Sequence, residues 1–238
     1  ENRITKLEEK SFSNLNLRER EHLQEWLANQ PDALGEELLI IQKEFDGFAH
    51  TRERLDLLAL DKDGRLVVIE NKLDDSGRDV AWQALKYAAY VSSLKTSQII
   101  DIFQQYLNRH EGGGVASDLI AAFLGWDTLE GETLNEGSSQ RIVLIAAHFR
   151  KEVTSTVLWL REHKIDARCY KVIPYAFGDE LFIDIQPVIP TPEAAEFMIR
   201  MADKEIEAKT AHTEKKRRHE IRREYWEMKL TAMKDAGG

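Results

Sequence analysis

Asp56, Glu70 and Lys72 are the residues of this chain whose types and spacing could do chemistry. They lie in the run RLDLLALDKDGRLVVIENK, on two apolar stretches joined by Lys62-Asp63-Gly64. A stretch otherwise built of Leu, Val and Ile has little reason to carry Glu and Lys near its end, because an unpaired buried charge is costly. Two carboxylates beside an ammonium describe a set of hard oxygen ligands that could hold a magnesium ion and activate water.

The turn decides whether these groups meet. A two-residue Asp63-Gly64 turn would set Asp56 opposite Asn71 and send Glu70 to the other face. A three-residue loop, closed by Gly64 in the left-handed conformation, sets Asp56 directly opposite Glu70. Glu70 and Lys72 then share a face with Asp56, while Val67, Ile69 and Asn71 point away. Opposed Cβ atoms sit about 5 Å apart, so two ionised carboxylates there repel by roughly 3–4 kcal/mol at an effective dielectric of about 20. They need a cation between them. The plain alternative is a hairpin that ends in solvated Asp, Glu and Lys.

The following segment favours the first reading. Arg78 to Leu94 reads as a helix apolar on almost every side, through Val80, Trp82, Leu85, Ala88, Val91 and Leu94, with Ser76 and Asp79 at the spacing of a capping box. Such a helix packs on a sheet. Gln83 and Tyr87, four residues apart, form a polar pair aimed inward from it.

The pattern D-x13-E-x-K, with Q-x3-Y on the next helix, resembles the PD-(D/E)xK nuclease superfamily, and the run from Arg54 to Lys72 is similar to the nuclease domain of RecB-like and archaeal single-strand or mismatch endonucleases. The resemblance covers residues 17–94 and fades beyond them. It implies that Asp56, Glu70, Lys72, Gln83 and Tyr87 form the catalytic set. Asp56 and Glu70, joined by the backbone carbonyl of Asn71, would hold Mg²⁺ or Mn²⁺. Lys72 would orient or activate the attacking water, while Gln83 and Tyr87 would support the site or touch DNA. A further acidic residue on the first helix is expected of the family, and Glu21 is the candidate. The implied fold class is α/β, a restriction-endonuclease-like core with a central mixed β-sheet flanked by helices, a helical insertion at about 96–125 and a long C-terminal helix. Two positions depart from the pattern: Leu55 stands where the family name has Pro, and Asn71 is polar where an apolar residue is usual. Asn71 therefore needs a hydrogen-bond partner on the opposite face.

The remaining elements suit that core. Residues 17–29 read as an amphipathic helix ended by Pro31, and Leu38 to Phe45 as a strand. Ser97–Asn108 and Ser117–Leu124 read as helices around the triple glycine 112–114, which matches no phosphate-binding or dinucleotide fingerprint. Gln140–His148 is a buried strand and Glu152–His163 a helix. Asp166–Ile173 and Glu180–Gln186 are strands split by a Tyr-Ala-Phe-Gly turn. Strand, helix and strand in series predict a parallel crossover and a mixed sheet. Residues 1–190 form the nuclease-like domain, and 191–238 read as a long charged connector helix. Its apolar pattern restarts at Ile221, Tyr225 and Trp226, so a C-terminal neighbour is expected beyond it.

Composition excludes other classes. A single cysteine, Cys169, forbids an internal disulfide and a Cys-based zinc site, which suits a reducing cytoplasm. No run of 18 apolar residues and no signal-peptide core is present, so no membrane association is expected. The seven histidines lack metal-ligand spacing, and no G-x-S-x-G elbow occurs. A formal charge of −9 counts against a general nucleic-acid binder. Local charge differs in sign, because Arg52, Arg54, Lys72, Arg78 and Lys86 surround the candidate site, and Arg54, Arg78 and Lys86 are the candidate DNA contacts. The basic cluster 215–223 reads as part of the solvated connector. The reading is a Mg²⁺-dependent DNA nuclease domain, endo- or exonucleolytic, of a restriction, defence or repair protein. A non-catalytic nucleic-acid- or partner-binding module of the same fold and an interaction module built on the long helix are the alternatives. Oligomeric state is open, with a dimer among the options.

Overall fold

Hydrophobic periodicity places the strands. Leu55–Asp61 and Leu66–Asp75, the latter apolar over Leu66–Ile69, pair as the central antiparallel hairpin of a seven-stranded sheet. The computed structural model describes residues 4–47, 54–110 and 113–191. In chain order the elements are β1 (Glu8–Glu9), α1, β2 (Leu38–Phe45), β3 (Leu55–Asp61), β4 (Leu66–Asp75), α2 (Val80–Val91), α3 (Thr96–Arg109), α4 (Ala116–Leu124), β5 (Arg141–His148), α5 (Lys151–Glu162), β6 (Ala167–Phe177) and β7 (Glu180–Ile189). Helix α1 opens with a wide π turn, Glu19–Leu23, and continues as α-helical Gln24–Asn29. The strand order is β1-β6-β5-β4-β3-β2, with β7 on β6. Pairs β4–β5 and β5–β6 are parallel and the rest antiparallel, so the sheet is mixed.

Both faces of the hairpin are buried, which is why its residues run apolar without alternation. Leu58, Leu60, Leu66 and Val68 pack with Val80, Ala84, Tyr87 and Val91 of α2. Leu57, Ala59, Val67 and Ile69 share the other core with Phe12, Leu23 and Leu27. A one-residue slip would exchange the two sets, so register matters. The turn fixes it. Asp61 N–H donates to the Arg65 carbonyl and Gly64 N–H to the Asp61 carbonyl, closing the three-residue loop with Gly64 at φ +72°. A Cβ at Gly64 would also meet Leu134 Cδ2 at 3.2 Å.

Asp61 is held from a second side. Arg141, 1 % exposed at the start of β5, donates to Asp61 at 3.0 Å, to both oxygens of Glu36 at 2.8 Å and to Asp166 at 3.0 Å. Burial works against the Asp166 charge, but Arg168, Arg141 and Arg161 outweigh it and pull the carboxyl down to about 2.

Several expectations are corrected in detail. Ser76 and Asp79 form no capping box: the Ser76 hydroxyl donates to the Gly77 carbonyl and accepts the Arg150 N–H, and α2 starts only at Val80. Trp82 is 68 % exposed, so α2 is not apolar all round. Tyr175, Ala176 and Phe177 belong to β6, and the turn before β7 is Gly178-Asp179 alone, with Phe177 opposite Glu180. The helical insertion is present as α3 and α4. The connector helix, the basic cluster 215–223 and Arg52 lie outside the described residues. Among the described residues no helix is long and apolar enough to cross a membrane.

Replacing Arg141 by Met removes the one buried cation that Asp61, Glu36 and Asp166 share, leaving the buried Asp61 with Arg65 alone, and removes the brace on the hairpin turn. A loss on the order of 3–5 kcal/mol is expected in urea unfolding. A midpoint equal to that of the parent would mean that Arg141 contributes packing alone.

Candidate active site

The register Leu57 opposite Ile69 carries Asp56 onto the rung of Glu70. Regular β3–β4 pairing stops at Leu57–Ile69. One residue further the Asp56 carboxylate, through Oδ2, accepts the Asn71 N–H at 2.8 Å, where a β3 carbonyl would continue an unbroken ladder. The Asp56 carbonyl accepts Gln24 Nε2 at 3.1 Å. Side chains thus replace the ladder at the end of the hairpin, and β4 runs on against β5, with Glu70 opposite Leu144 and Lys72 opposite Ala146.

Glu70 is 0 % exposed and neither carboxylate oxygen has a hydrogen-bond partner in the protein. Lys72 Nζ lies 3.7 Å from Glu70 Oε2 and 3.5 Å from Glu19 Oε1. Burial, then the charge of Asp56, push the Glu70 carboxyl up to about 9, against the pull of Lys72. The Asp56 N–H lies near enough to lower it a little, short of hydrogen-bond geometry. Burial also raises Asp56, to about 6, with Glu19 and Glu44 adding to the rise and the Asn71 N–H and Lys72 opposing it. Burial disfavours the Lys72 charge, yet Asp56, Glu19 and Glu70 more than offset that and raise its pKa. Lys72 therefore stays an ammonium at neutral pH.

The first helix contributes Glu19 and Gln24, neither of which the sequence singled out. In its opening turn the Gln24 N–H bonds to the Glu19 carbonyl, an i to i+5 pattern that sets these two residues one above the other. Glu19 Oε2 then caps the Leu73 N–H at 3.0 Å while Gln24 reaches Asp56. Glu21, the expected acidic residue of this helix, is turned to solvent and pairs with Arg18 at 2.9 Å, because the wide turn rotates it off the sheet. It is replaced by Glu19 at this position. The gap in apolar residues at 19–21, between Leu17 and Leu23, marks an irregular turn without indicating which residues it brings together.

Gln83 and Tyr87 meet the hairpin at one remove. Gln83 Nε2 donates to Tyr87 Oη at 2.9 Å, and the buried Tyr87 hydroxyl donates to the Arg54 carbonyl at 3.2 Å. They clamp the backbone two residues before Asp56 without touching either carboxylate. Asn71 points its side chain to the opposite face, 0 % exposed, and neither amide atom finds the expected partner. Arg54 and Arg78 are exposed, and the Lys86 ammonium sits 5.4 Å from the Tyr87 ring centroid.

Among the described residues no three carboxylate, imidazole or thiolate side chains converge to hold a metal ion. The two that meet nevertheless fit a hard divalent cation: both Glu70 oxygens lack a donor, and Mg²⁺ commonly binds through one or two carboxylates with water and phosphate oxygens completing its shell.

No family model matches the chain, and no curated protein matches it. Similar solved structures include a repair endonuclease from Pyrococcus abyssi, 16 % identical with a TM-score of 0.36, over 65 % of this chain and 47 % of that one. The complex of EndoMS with double-stranded DNA is 14 % identical with a TM-score of 0.36, over 64 % of this chain and 44 % of that one. The chain thus spans about half the length of those it matches.

Both carboxyl pKa values are raised, so the folded state keeps protons that the unfolded chain releases. That contribution is complete below the unfolded values of 3.8 and 4.5, and is lost as pH rises through about 6 for Asp56 and on to about 9 for Glu70. Metal-stripped protein in EDTA should therefore melt at progressively lower temperature between pH 5 and 9, and Glu70→Gln should flatten the decline. Identical pH profiles for the two proteins would show that Glu70 is not the buried acid responsible.

Proposed function

We propose that the chain is a metal-dependent DNA nuclease domain that hydrolyses phosphodiester bonds at Asp56, Glu70 and Lys72. The observation that supports it is the buried Glu70, with no donor on either oxygen, set on the rung of Asp56 at the broken end of the ladder. A fold does not keep such a group for stability, since two adjacent buried carboxylates destabilise it. They are tolerable together when a cation or a proton lies between them.

Asp56 and Glu70, joined by the Asn71 carbonyl, would hold Mg²⁺ or Mn²⁺. Such an ion supplies positive charge for the phosphoryl oxygens and lowers the pKa of water. In hydrolysis the water oxygen gives up a proton to bulk water as it forms a bond to phosphorus, one ester P–O bond breaks, and the departing alkoxide takes a proton from bulk water. Lys72, kept charged by three carboxylates, donates hydrogen bonds to the attacking water and balances the charge growing on phosphorus-bound oxygens. An ammonium with a raised pKa cannot take the proton of that water. Its role is position and field. Glu19 fixes Lys72 from one side and caps Leu73, so the strand end cannot drift. Gln83 and Tyr87 act as positioning residues through the Arg54 carbonyl.

Asp56→Ala and Glu70→Ala should each abolish Mg²⁺-dependent cleavage of a panel of single-stranded, duplex, flapped and mismatched DNA while the fold survives, since each removes a buried acid whose desolvation is costly, Asp56→Ala giving up the Asn71 hydrogen bond as well. Lys72→Ala should keep DNA binding and lose on the order of a hundredfold or more in rate, since its interaction is made mainly in the transition state. Parent-level cleavage by Asp56→Ala would overturn the assignment. No cleavage by the parent on any substrate, with DNA still bound, would leave the non-catalytic binding module as the reading.

A further inference from the structure

We propose that Arg20 and Arg54 form a phosphodiester-binding pair beside the carboxylates, held together in the free protein by Glu44, which a backbone phosphate of DNA replaces. The inference rests on the nuclease reading for the purpose of that grip, although phosphate binding itself does not require cleavage.

The pairing of Lys43 with Leu57 and Phe45 with Leu55 places Glu44 on the rung of Asp56, so Glu44, Asp56 and Glu70 span three neighbouring strands in one row. A third carboxylate facing the first two would add further repulsion. Glu44 takes φ +49°, a left-handed conformation costly for a residue with a Cβ and unusual inside a strand, and its charge still adds to the rise at Asp56. Its carboxylate lies 3.3 Å from Arg20 Nε and 3.8 Å from an Arg54 terminal nitrogen.

The detail that points to a ligand is how little these pairs use. Both Glu44 oxygens are shielded from solvent, yet neither makes a hydrogen bond. The two guanidiniums are attracted by charge but do not spend their donors on it. Both side chains are open to solvent, 66 % for Arg20 and 51 % for Arg54. Guanidinium forks with donors to spare match phosphate oxygens in geometry as well as charge. Arg20 follows Glu19, the residue that fixes Lys72, and Arg54 precedes Asp56 by two with its carbonyl clamped by Tyr87. Each arginine is thus tied to a group of the candidate site. Two guanidiniums share the single carboxylate of Glu44, so the pair carries more positive charge than Glu44 cancels, beside the acidic groups Glu19 and Asp56.

The test is fluorescence anisotropy of a labelled single-stranded and a labelled duplex oligonucleotide with the full chain, in EDTA so that nothing is cut, across a salt series. Arg20→Ala and Arg54→Ala should each weaken binding on the order of five- to tenfold and each reduce the slope of log Kd against log salt by about 1, the double variant by about 2. Glu44→Gln should bind at least as tightly as the parent, because no carboxylate then competes with the phosphate. Alanine variants with the parent's affinity and slope would overturn the proposal and leave the ion pairs as supports of the fold, as would a parent that binds neither oligonucleotide. Cleavage in Mg²⁺ is measured separately. Cutting that persists while the arginine variants bind like the parent removes the grip and keeps the nuclease. Binding that depends on the arginines with no cutting does the reverse.

Discussion

The hydrogen bond from the Asn71 N–H to the Asp56 carboxylate is the constraint on which the candidate site depends. In an unbroken antiparallel ladder that donor would belong to a backbone carbonyl of β3. Because a carboxylate takes it, the two strands need not continue in register, and β4 can carry on against β5 alone. The same bond orients Asp56 towards β4 and lets Glu70 stand beside it. Without a donor on β4 the Asp56 side chain would have one favourable contact fewer against the desolvation that raises its pKa to about 6. The opening of the ladder and the meeting of the carboxylates are one event.

Charge is handled in opposite ways at the two ends of this sheet. Arg141, Asp61, Glu36 and Asp166 close a network in which every charge is met by hydrogen bonds, and burial there is compatible with a rigid hairpin turn. Five residues down β3 from Asp61, Asp56 and Glu70 have one ammonium between them, and it sits no nearer than 3.7 Å to Glu70. The closed end fixes the register that brings the open end together. A sheet that anchored both ends equally well would have no unspent electrostatic potential to offer a ligand.

How much of this was legible in the sequence follows from which interactions are local. The hairpin register could be read from Gly64 and the parity of the strands, because a three-residue loop and period-two alternation together leave one arrangement. Gln83 and Tyr87 could be read as inward-facing from a four-residue spacing on a regular helix. Glu19 and Gln24 could not, since helical reasoning assumes 3.6 residues per turn and these two share a face only through a five-residue hydrogen bond. Glu44 was hidden for a similar reason: the register shift between Ile40 and Gln42 moves it by one onto the rung of Asp56, and nothing in LLIIQKEF announces that shift. Ser76 looked like a cap because of its spacing to Asp79, but its hydroxyl is engaged by Arg150, 74 residues away in sequence. Irregular backbone is where the local rules fail.

Those irregularities are also not scattered at random. The π turn at Glu19–Leu23, the left-handed Glu44 and the ladder break at Asp56 occur on three different elements, yet they meet: Glu19 at the Lys72 side chain, Arg20 at the Glu44 side chain and Gln24 at the Asp56 backbone carbonyl. Each departure costs stability, and a left-handed non-glycine residue alone costs on the order of 1–3 kcal/mol. The surrounding sheet can bear that cost, because its two cores bury nearly every residue of β3 and β4 up to the break. These three departures lie at the end of an otherwise regular hairpin, where the position of charged groups, rather than the regularity of the strands, sets the local backbone.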